Sequence, residues 1–248
     1  MINVSVAMAV YNGSSYINEQ IDSILNQLKI NDELVISYDE SQDNTFDIIS
    51  AYASKDARVK VFKNFGSGVV SNFENAIRNT QGEYIFLSDQ DDVWSEDKIE
   101  IVMREFVRTG ADAIAHDYKL VDENLKPLNL EDKSGFELRG GSSSIIKNLV
   151  RLSYIGCCLA FKRNMKSYIL PIPTKQRSHD WWIGTMTGLI GKFLIINDKL
   201  ILHRMHMNNA TPKSRPPLTY QFEVRSIILF NAIKRAFVIK GSADDFKN

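Results

Sequence analysis

Tyr84-Ile85-Phe86-Leu87-Ser88-Asp89-Gln90-Asp91-Asp92 sets a short, β-prone apolar run directly against three carboxylates. The run reads as a buried strand, and the acids stand at its carboxyl end, where open α/β sheets bind their ligands. Carboxylates packed this closely repel one another, and a divalent cation is the usual remedy. Magnesium or manganese suits such a set, because these ions bind through one or two carboxylates together with substrate phosphates. The same residues also read as a solvated acidic turn in which one aspartate caps a helix beginning near Ser95.

Working outward toward the N-terminus, β-branched runs alternate with helical patterns. Val4-Ser5-Val6-Ala7-Met8 reads as a strand, and Ser14 or Ser15 as the cap of a helix with Ile17, Ile21, Ile24, Leu25 and Leu28 on one face. Leu34-Val35-Ile36 is the next strand. A polar turn from Asp39 to Asn44 leads to a short helix carrying Phe46, Ile48, Ile49 and Tyr52, then to the strand Val59-Lys60-Val61-Phe62. After Gly66-Ser67-Gly68 a helix runs to about Asn79. This is βαβαβ, the nucleotide-binding kind of half-domain, and it predicts an α/β fold with a parallel sheet. From about Ala111 the alternation loosens, and residues 111–210 read as a second, acceptor-shaping half of the same unit. Leu218 to Lys240 has helical apolar spacing at Phe222, Ile227, Ile228, Phe230, Ile233 and Phe237.

The chain has 248 residues, with 30 Lys+Arg against 30 Asp+Glu and 44% hydrophobic residues. That composition supports one large core and excludes intrinsic disorder. Zero net charge removes the generic electrostatic case for nucleic acid. The charge is not evenly spread: residues 1–100 hold 17 acids and 7 bases, and residues 101–248 hold 13 acids and 23 bases. The two cysteines, Cys157 and Cys158, are adjacent, a spacing that rarely suits a structural disulfide and points to a reducing compartment. No uninterrupted apolar run approaches the roughly 18 residues of a membrane span, and Met1 opens onto a strand pattern without a secretory leader. The expected setting is cytoplasmic.

Four further constellations could carry chemistry. Asp39 lies just past a strand end, where it could accept from a pyrimidine imide or close a turn on its own backbone. Tyr11-Asn12-Gly13 offers an aromatic face and an amide at the same sheet edge, or simply a tight turn. In His179-Asp180-Trp181-Trp182, an aspartate beside two tryptophans suits a desolvated general base, and the indoles suit sugar rings. The alternative there is a helix start capped by Asp180 with both tryptophans in the core. Arg204-Met205-His206, with Asn208 and Asn209, supplies a cation and an imidazole for a diphosphate or a metal.

Taken in order, Val6 to Gly13, Asp39 to Thr45, Asp89 to Trp94, His179 to Trp182 and Arg204 to His206 resemble the inverting glycosyltransferases of family two. The resemblance runs from residue 2 to about 210, and it departs from the family pattern at Tyr38 and Glu40. It implies a GT-A fold over residues 1–210, with a nucleotide-sugar half at 1–110. Its implied nucleotide-sugar contacts are Tyr11, Asn12, Asp39, Asn72, Asp89 and Arg204. A magnesium or manganese ion would be held by Asp91, Asp89 and His206, and Asp180 would be the general base. Cys157, Trp181 and Trp182 would face the acceptor. The His-Asp-Trp-Trp variant, with Gly156 to Phe161, most resembles rhamnosyl- and hexosyltransferases of bacterial O-antigen and capsule assembly. Such enzymes imply a nucleotide-diphosphate sugar such as dTDP-rhamnose or a UDP-hexose, and a lipid-linked oligosaccharide.

Rival readings remain on the residues. Ile85 to Val93 resembles the nucleophile strand of haloacid-dehalogenase phosphotransferases, although that strand is usually N-terminal. Gly66-Ser67-Gly68 lacks the third glycine of a nicotinamide-binding loop, since position 71 is Ser71. A catalytically weak sugar-nucleotide-binding scaffold is the non-enzymatic alternative. For the C-terminal helix, Lys213, Arg215, Arg225, Lys234, Arg235 and Lys240 suggest contact with the anionic inner face of a membrane, the alternative being a helix packed on the core.

Overall fold

A computed structural model describes residues 3–128, 133–142, 144, 147–148, 152–173, 178–206 and 218–245, the last with side chains from 223 to 237. The first strand explains the arrangement of the rest. In β1 (Val4–Val10), Val4, Val6, Met8 and Val10 face one layer of core, while Ser5, Ala7 and Ala9 present small side chains to the other. The bulky face packs on α1 (Ile17–Leu25), and the small face lets α3 (Val69–Asn79) approach closely with Phe73, Ala76 and Ile77.

β2 (Glu33–Tyr38), α2 (Thr45–Lys55) and β3 (Val59–Lys63) extend the sheet to one side of β1. The chain then returns to place β4 (Tyr84–Ser88) on the other side. β5 (Val93–Trp94), α4 (Lys98–Thr109), β6 (Ala113–Val121), α5 (Gly135–Arg139), β7 (Leu159–Lys162), α6 (Lys166–Ile169), α7 (His179–Ile190) and β8 (Phe193–Arg204) complete the body. One eight-stranded sheet, ordered β3-β2-β1-β4-β7-β6-β8-β5, runs through both halves of the chain. β3, β2, β1 and β4 are parallel, whereas β7 is antiparallel to both β4 and β6, and β5 to β8. Strand order reverses between β1 and β4, so a crevice opens beyond their carboxyl ends.

Three local expectations are corrected. Neither Ser14 nor Ser15 caps α1, which follows Tyr16; the backbone N–H groups of Tyr16 and Ile17 both donate to the Gly13 carbonyl, and Ser14 is held by Asp43 instead. No aspartate of the acidic cluster caps a helix at Ser95, because Val93 and Trp94 pair with β8 and α4 starts at Lys98. The C-terminal helix α8 (Leu218–Asp245) buries Ile228 and Ala232, and two of its arginines turn inward. Arg225 lies over the Trp181 ring, and Arg235 donates to the Ile169 and Pro171 carbonyls. Its exposed residues between 223 and 237 include Leu229, Phe230, Ile233 and Phe237 beside Glu223, Ser226 and Lys234. The side chains of Lys213, Arg215 and Lys240 lie outside the described residues, as do Asn208 and Asn209. Among the described residues no helix is long and apolar enough to cross a membrane.

At the opposite end of the sheet from the crevice, Glu33 ties four segments together. Its buried carboxylate accepts from the Ser5 hydroxyl, the Gln81 backbone N–H and the Lys60 ammonium, each at 2.6 Å. Burial works to raise its pKa, but these three donors prevail and hold it below 4.5. A depressed carboxylate contributes stability that is present above its unfolded pKa and lost as pH falls through the folded one. Glu33→Gln should therefore cost about 2 kcal/mol at neutral pH, and the gap from wild type should shrink below about pH 4.5. Urea unfolding of both proteins across that range measures it.

Candidate active site

The crevice at the β1/β4 reversal is a cleft of about 730 Å³. Of the residues singled out from the sequence, Tyr11, Asp39, Asn72, Asp89 and Asp91 line it. Asn12, Cys157, Asp180, Trp181, Trp182, Arg204 and His206 do not.

One end is built from the loops after β1, β2 and β3. Tyr11 leaves its ring half exposed over the cleft. Asp39 is fixed in place: its Oδ1 accepts from Asn64 Nδ2 at 2.6 Å and its Oδ2 from the Gly68 N–H at 3.0 Å. Gly68 has φ of 84°, in the left-handed region that glycine adopts without strain, and this turns its N–H toward the carboxylate. Asn12, at φ 46°, uses its side-chain oxygen to accept from the Gln42 N–H, so it braces the loop. Asn72 donates to the Val10 carbonyl at 2.9 Å, and its buried Oδ1 has no hydrogen-bond partner among the described residues.

The other end is the acidic cluster, met by side chains from β8 and the residues just after it. Asp91 Oδ2 lies 2.8 Å from His206 Nε2, and the His206 ring rests on Tyr16. Asp92 is buried and pairs with His203 Nδ1 at 2.8 Å while accepting from the Arg204 N–H. Burial alone would lower the His203 imidazolium, but Asp92 raises it to about 9. Asp89 makes no ion pair among the described residues: burial, with Asp92 and Asp91 beside it, outweighs the pull of His203 and Cys157 and pushes its carboxyl up to about 8. Beneath the cluster the buried Lys98 ammonium donates to the Cys157 carbonyl and lies over Trp94, burial pulling it down to about 8.

Two candidate cation sets emerge. Asp91, Asp89 and His206 combine oxygen donors with an imidazole, and the raised Asp89 marks an excess of negative charge that a hard cation would relieve. Among the described residues, the three such side chains whose ligand atoms all lie within 4.8 Å of one another are instead Asp92, Cys157 and His203. There the charge is already matched by the Asp92–His203 pair, and burial raises the Cys157 thiol well above its usual range, which disfavours the thiolate a metal needs. In the first set the structure shows one direct contact, Asp91 to His206, and its donor types are those a hard divalent cation takes.

Arg204 sits behind the cluster. Its guanidinium donates to the Asp91 carbonyl at 2.9 Å, to the Glu123 carbonyl and to the Glu19 carboxylate, and it stacks on Tyr16. The side chain is buried, and Arg204 is not among the residues that line the cleft.

The third part is the start of α7. Ser178 caps the helix, in place of Asp180. Asp180 Oδ1 accepts from the Ser178 hydroxyl and from the Trp181 N–H, leaving Oδ2 without a partner among the described residues. His179 stacks on Phe73 with ring centroids 3.9 Å apart, and Phe73 lines the cleft, so Asp180 follows directly on a residue backing the cleft wall. Trp181 is partly buried and donates to the Asn148 carbonyl. Trp182 and Cys157 are fully buried, which corrects their expected acceptor-facing role. Trp182 packs in the core beneath α8 and donates to the Ile169 carbonyl, and Cys157 lies under the aspartates. Sequence reading missed His203, Asn64 and Glu19. Each is a single polar residue in an otherwise ordinary run and becomes meaningful only through a partner at least 25 positions away.

The family described as glycosyl transferase family 2 matches residues 5–169. The putative teichuronic acid biosynthesis glycosyltransferase TuaG of Bacillus subtilis (strain 168) is 32% identical over 86% of this chain and 82% of its own length. The dTDP-rhamnosyl transferase RfbG of Shigella flexneri is 29% identical over 82% of this chain and 72% of its own. The chain spans from 11% to 66% of the length of the first curated relatives it matches. Among solved structures, S. aureus TarS 1–349 in complex with UDP-GlcNAc aligns with TM-score 0.73 at 18% identity, over 93% of this chain and 66% of that one. The mannosyltransferase PcManGT from Pyrobaculum calidifontis, in complex with GDP-Man and Mn2+, aligns with TM-score 0.63 at 16% identity, over 97% and 79%. At these identities the likeness is one of fold.

The placement of Arg204 makes a prediction. Arg204→Lys keeps the charge but loses the planar fork, so it should destabilise the protein by about 2 kcal/mol or more in chemical unfolding. An unchanged unfolding midpoint with weakened nucleotide binding would instead return Arg204 to direct diphosphate contact.

Proposed function

This chain belongs to glycosyltransferase family 2 and has the GT-A fold, and from that premise we propose that its cleft transfers a hexose or deoxyhexose, with inversion, from a nucleotide-diphosphate sugar to a sugar hydroxyl. The donor is a thymidine- or uridine-diphosphate sugar, dTDP-rhamnose among the first to test, and the acceptor is a lipid-linked oligosaccharide of surface-polysaccharide assembly. The observation that carries this reading is that one cleft has Tyr11 and Asp39 at one end and Asp89 and Asp91 at the other. That matches the two chemically different ends of a nucleotide diphosphate: a flat base and a polyanion. The relatives in teichuronic acid and rhamnosyl transfer support the substrate class.

In this reading the base stacks on Tyr11 and donates to Asp39, whose position is set by Asn64 and Gly68. Magnesium or manganese would be held by Asp91, Asp89 and His206. When bound, such an ion acts as a Lewis acid that stabilises charge on the leaving diphosphate. Asp180 Oδ2 takes the proton from the acceptor hydroxyl, while Ser178 and the Trp181 N–H hold Oδ1 and so fix the carboxylate's direction. The hydroxyl oxygen bonds to the anomeric carbon as the carbon–phosphate oxygen bond breaks, and the diphosphate leaves with the electron pair. Displacement from the opposite face inverts the centre.

Asp180→Asn preserves shape but cannot accept the proton, so transfer should fall by roughly 10² or more with donor binding intact, read by calorimetry beside a transfer assay. Asp91→Ala should abolish metal-dependent turnover in a folded protein. Near-normal transfer by Asp180→Asn would move the base elsewhere, and full activity of Asp91→Ala, or of wild type in excess chelator, would remove the metal assignment.

We also propose that α8 brings the enzyme to an anionic membrane surface, now on the strength of its exposed Leu229, Phe230, Ile233 and Phe237 rather than a continuous basic face. Replacing both Phe230 and Phe237 with serine should weaken binding to anionic vesicles about tenfold or more, with turnover of a small soluble acceptor retained. Equal vesicle binding by this variant and wild type would exclude that face as the contact.

A further inference from the structure

We infer that Gln90, the residue between the two aspartates of the cluster, is a positioning residue that locks the Tyr11 platform to the acidic loop. The inference rests on the proposal that Tyr11 carries the base of the donor. β1 and β4 pair in parallel up to Met8 opposite Ser88, and beyond that register their backbones part. The Gln90 side chain bridges the gap. Its Oε1 accepts from the Tyr11 N–H at 2.8 Å, and its Nε2 donates to the Tyr11 carbonyl at 2.8 Å. A primary amide has the same planar donor and acceptor as a peptide group, so Gln90 continues the ladder for one more residue after the main chain has left it. Glutamate lacks the donor, and an apolar side chain of the same length lacks both groups.

An independent observation shows how closely this bridge is fitted. A Cβ on Gly13 would lie 2.5 Å from Gln90 Oε1 and 2.7 Å from its Cδ, so a larger residue there would push the amide out of its bridge. The three N–H groups after Tyr11 are held from the other side. Asn12 donates to the Ser41 hydroxyl at 3.0 Å, Gly13 to Thr45 Oγ1 at 2.8 Å and Ser14 to Asp43 Oδ2 at 3.1 Å. Gln90 is thus the member of this set that fixes the platform residue itself, and it does so from the loop that carries Asp89 and Asp91. The Tyr11 ring is 52% exposed, so packing does little to orient it and its backbone anchors decide where the ring stands.

The test is a double-mutant cycle on nucleotide binding. Affinities for UDP, dTDP and GDP are measured by calorimetry for wild type, Gln90→Met, Tyr11→Ala and the double variant. Gln90→Met should weaken the best-bound nucleotide by about tenfold, and the double variant should bind no more weakly than Tyr11→Ala alone, because the amide acts through the ring. Hydrogen exchange at the Tyr11 amide should quicken in Gln90→Met, and Mn2+ affinity measured without nucleotide should be unchanged. Gln90→Leu, which also lacks both groups and adds no charge to the acidic loop, should match Gln90→Met and serves where the latter is unstable. Additive losses in the cycle, unaltered nucleotide affinity of both Gln90 variants, or a loss of Mn2+ affinity matching the loss for nucleotide would overturn the inference. If Tyr11→Ala binds every nucleotide as wild type does, the platform reading fails first and the clamp with it.

Discussion

Three carboxylates at the end of β4 impose the condition that the surrounding structure answers. Left to themselves Asp89, Asp91 and Asp92 would repel, and each meets a different response. Asp92 is buried against His203 and the Arg204 N–H, Asp91 faces His206, and the main chain of Asp91 is gripped by the Arg204 guanidinium. All of these groups come from the end of β8, more than a hundred residues later in the chain. They arrive because β5, immediately after the acids, pairs antiparallel with β8 and brings its last turn alongside. Asp89 makes no ion pair among the described residues, and burial together with Asp92 and Asp91 raises its carboxyl to about 8.

At the Tyr11 end of the cleft, backbone groups beyond the strand ends are satisfied by side chains of neighbouring loops. Gln90, Ser41, Thr45 and Asp43 each accept from one successive N–H of the Tyr11 to Ser14 loop. Such loops are shaped without a regular ladder, so their geometry is set by a few polar residues whose removal releases one N–H at a time. The cleft therefore joins two rigid loops across the strand-order reversal, one aromatic and one acidic, with α3 forming the floor between them through Asn72 and Phe73.

On the acceptor side the same helix start has two neighbours with opposite fates. Trp182 disappears into the core beneath α8, whereas Trp181 and Asp180 stay partly exposed at the first turn of α7. The helical period alone accounts for the split, since adjacent residues on a helix point about 100° apart. α8 inverts the usual amphipathic rule for a similar reason. Arg225 and Arg235 reach the aromatic and carbonyl groups of α7 and the α6 region, which displaces large apolar side chains to the outer face.

The order of strands and helices through β4 was legible in the sequence because period-2 and period-3.6 patterns are local properties, and so were the acidic cluster and the family resemblance; the two-residue β5 was not, because its pairing with β8 is made more than a hundred positions away. Asp180 could be picked out beside its tryptophans, but the buried positions of Trp182 and Cys157 could not, because which face of a short element turns inward depends on what packs there. The cap of α1 was misread for the same reason: Ser14 has a stronger partner in Asp43, which stands 29 positions away. The sequence by itself determined the four parallel strands of the first half, the carboxylates that end the last of them and the family resemblance. Only the tertiary structure decided which charges face each other, since Arg204 becomes a brace, His203 a counter-ion and Gln90 a bridge solely through groups that distant segments deliver to them.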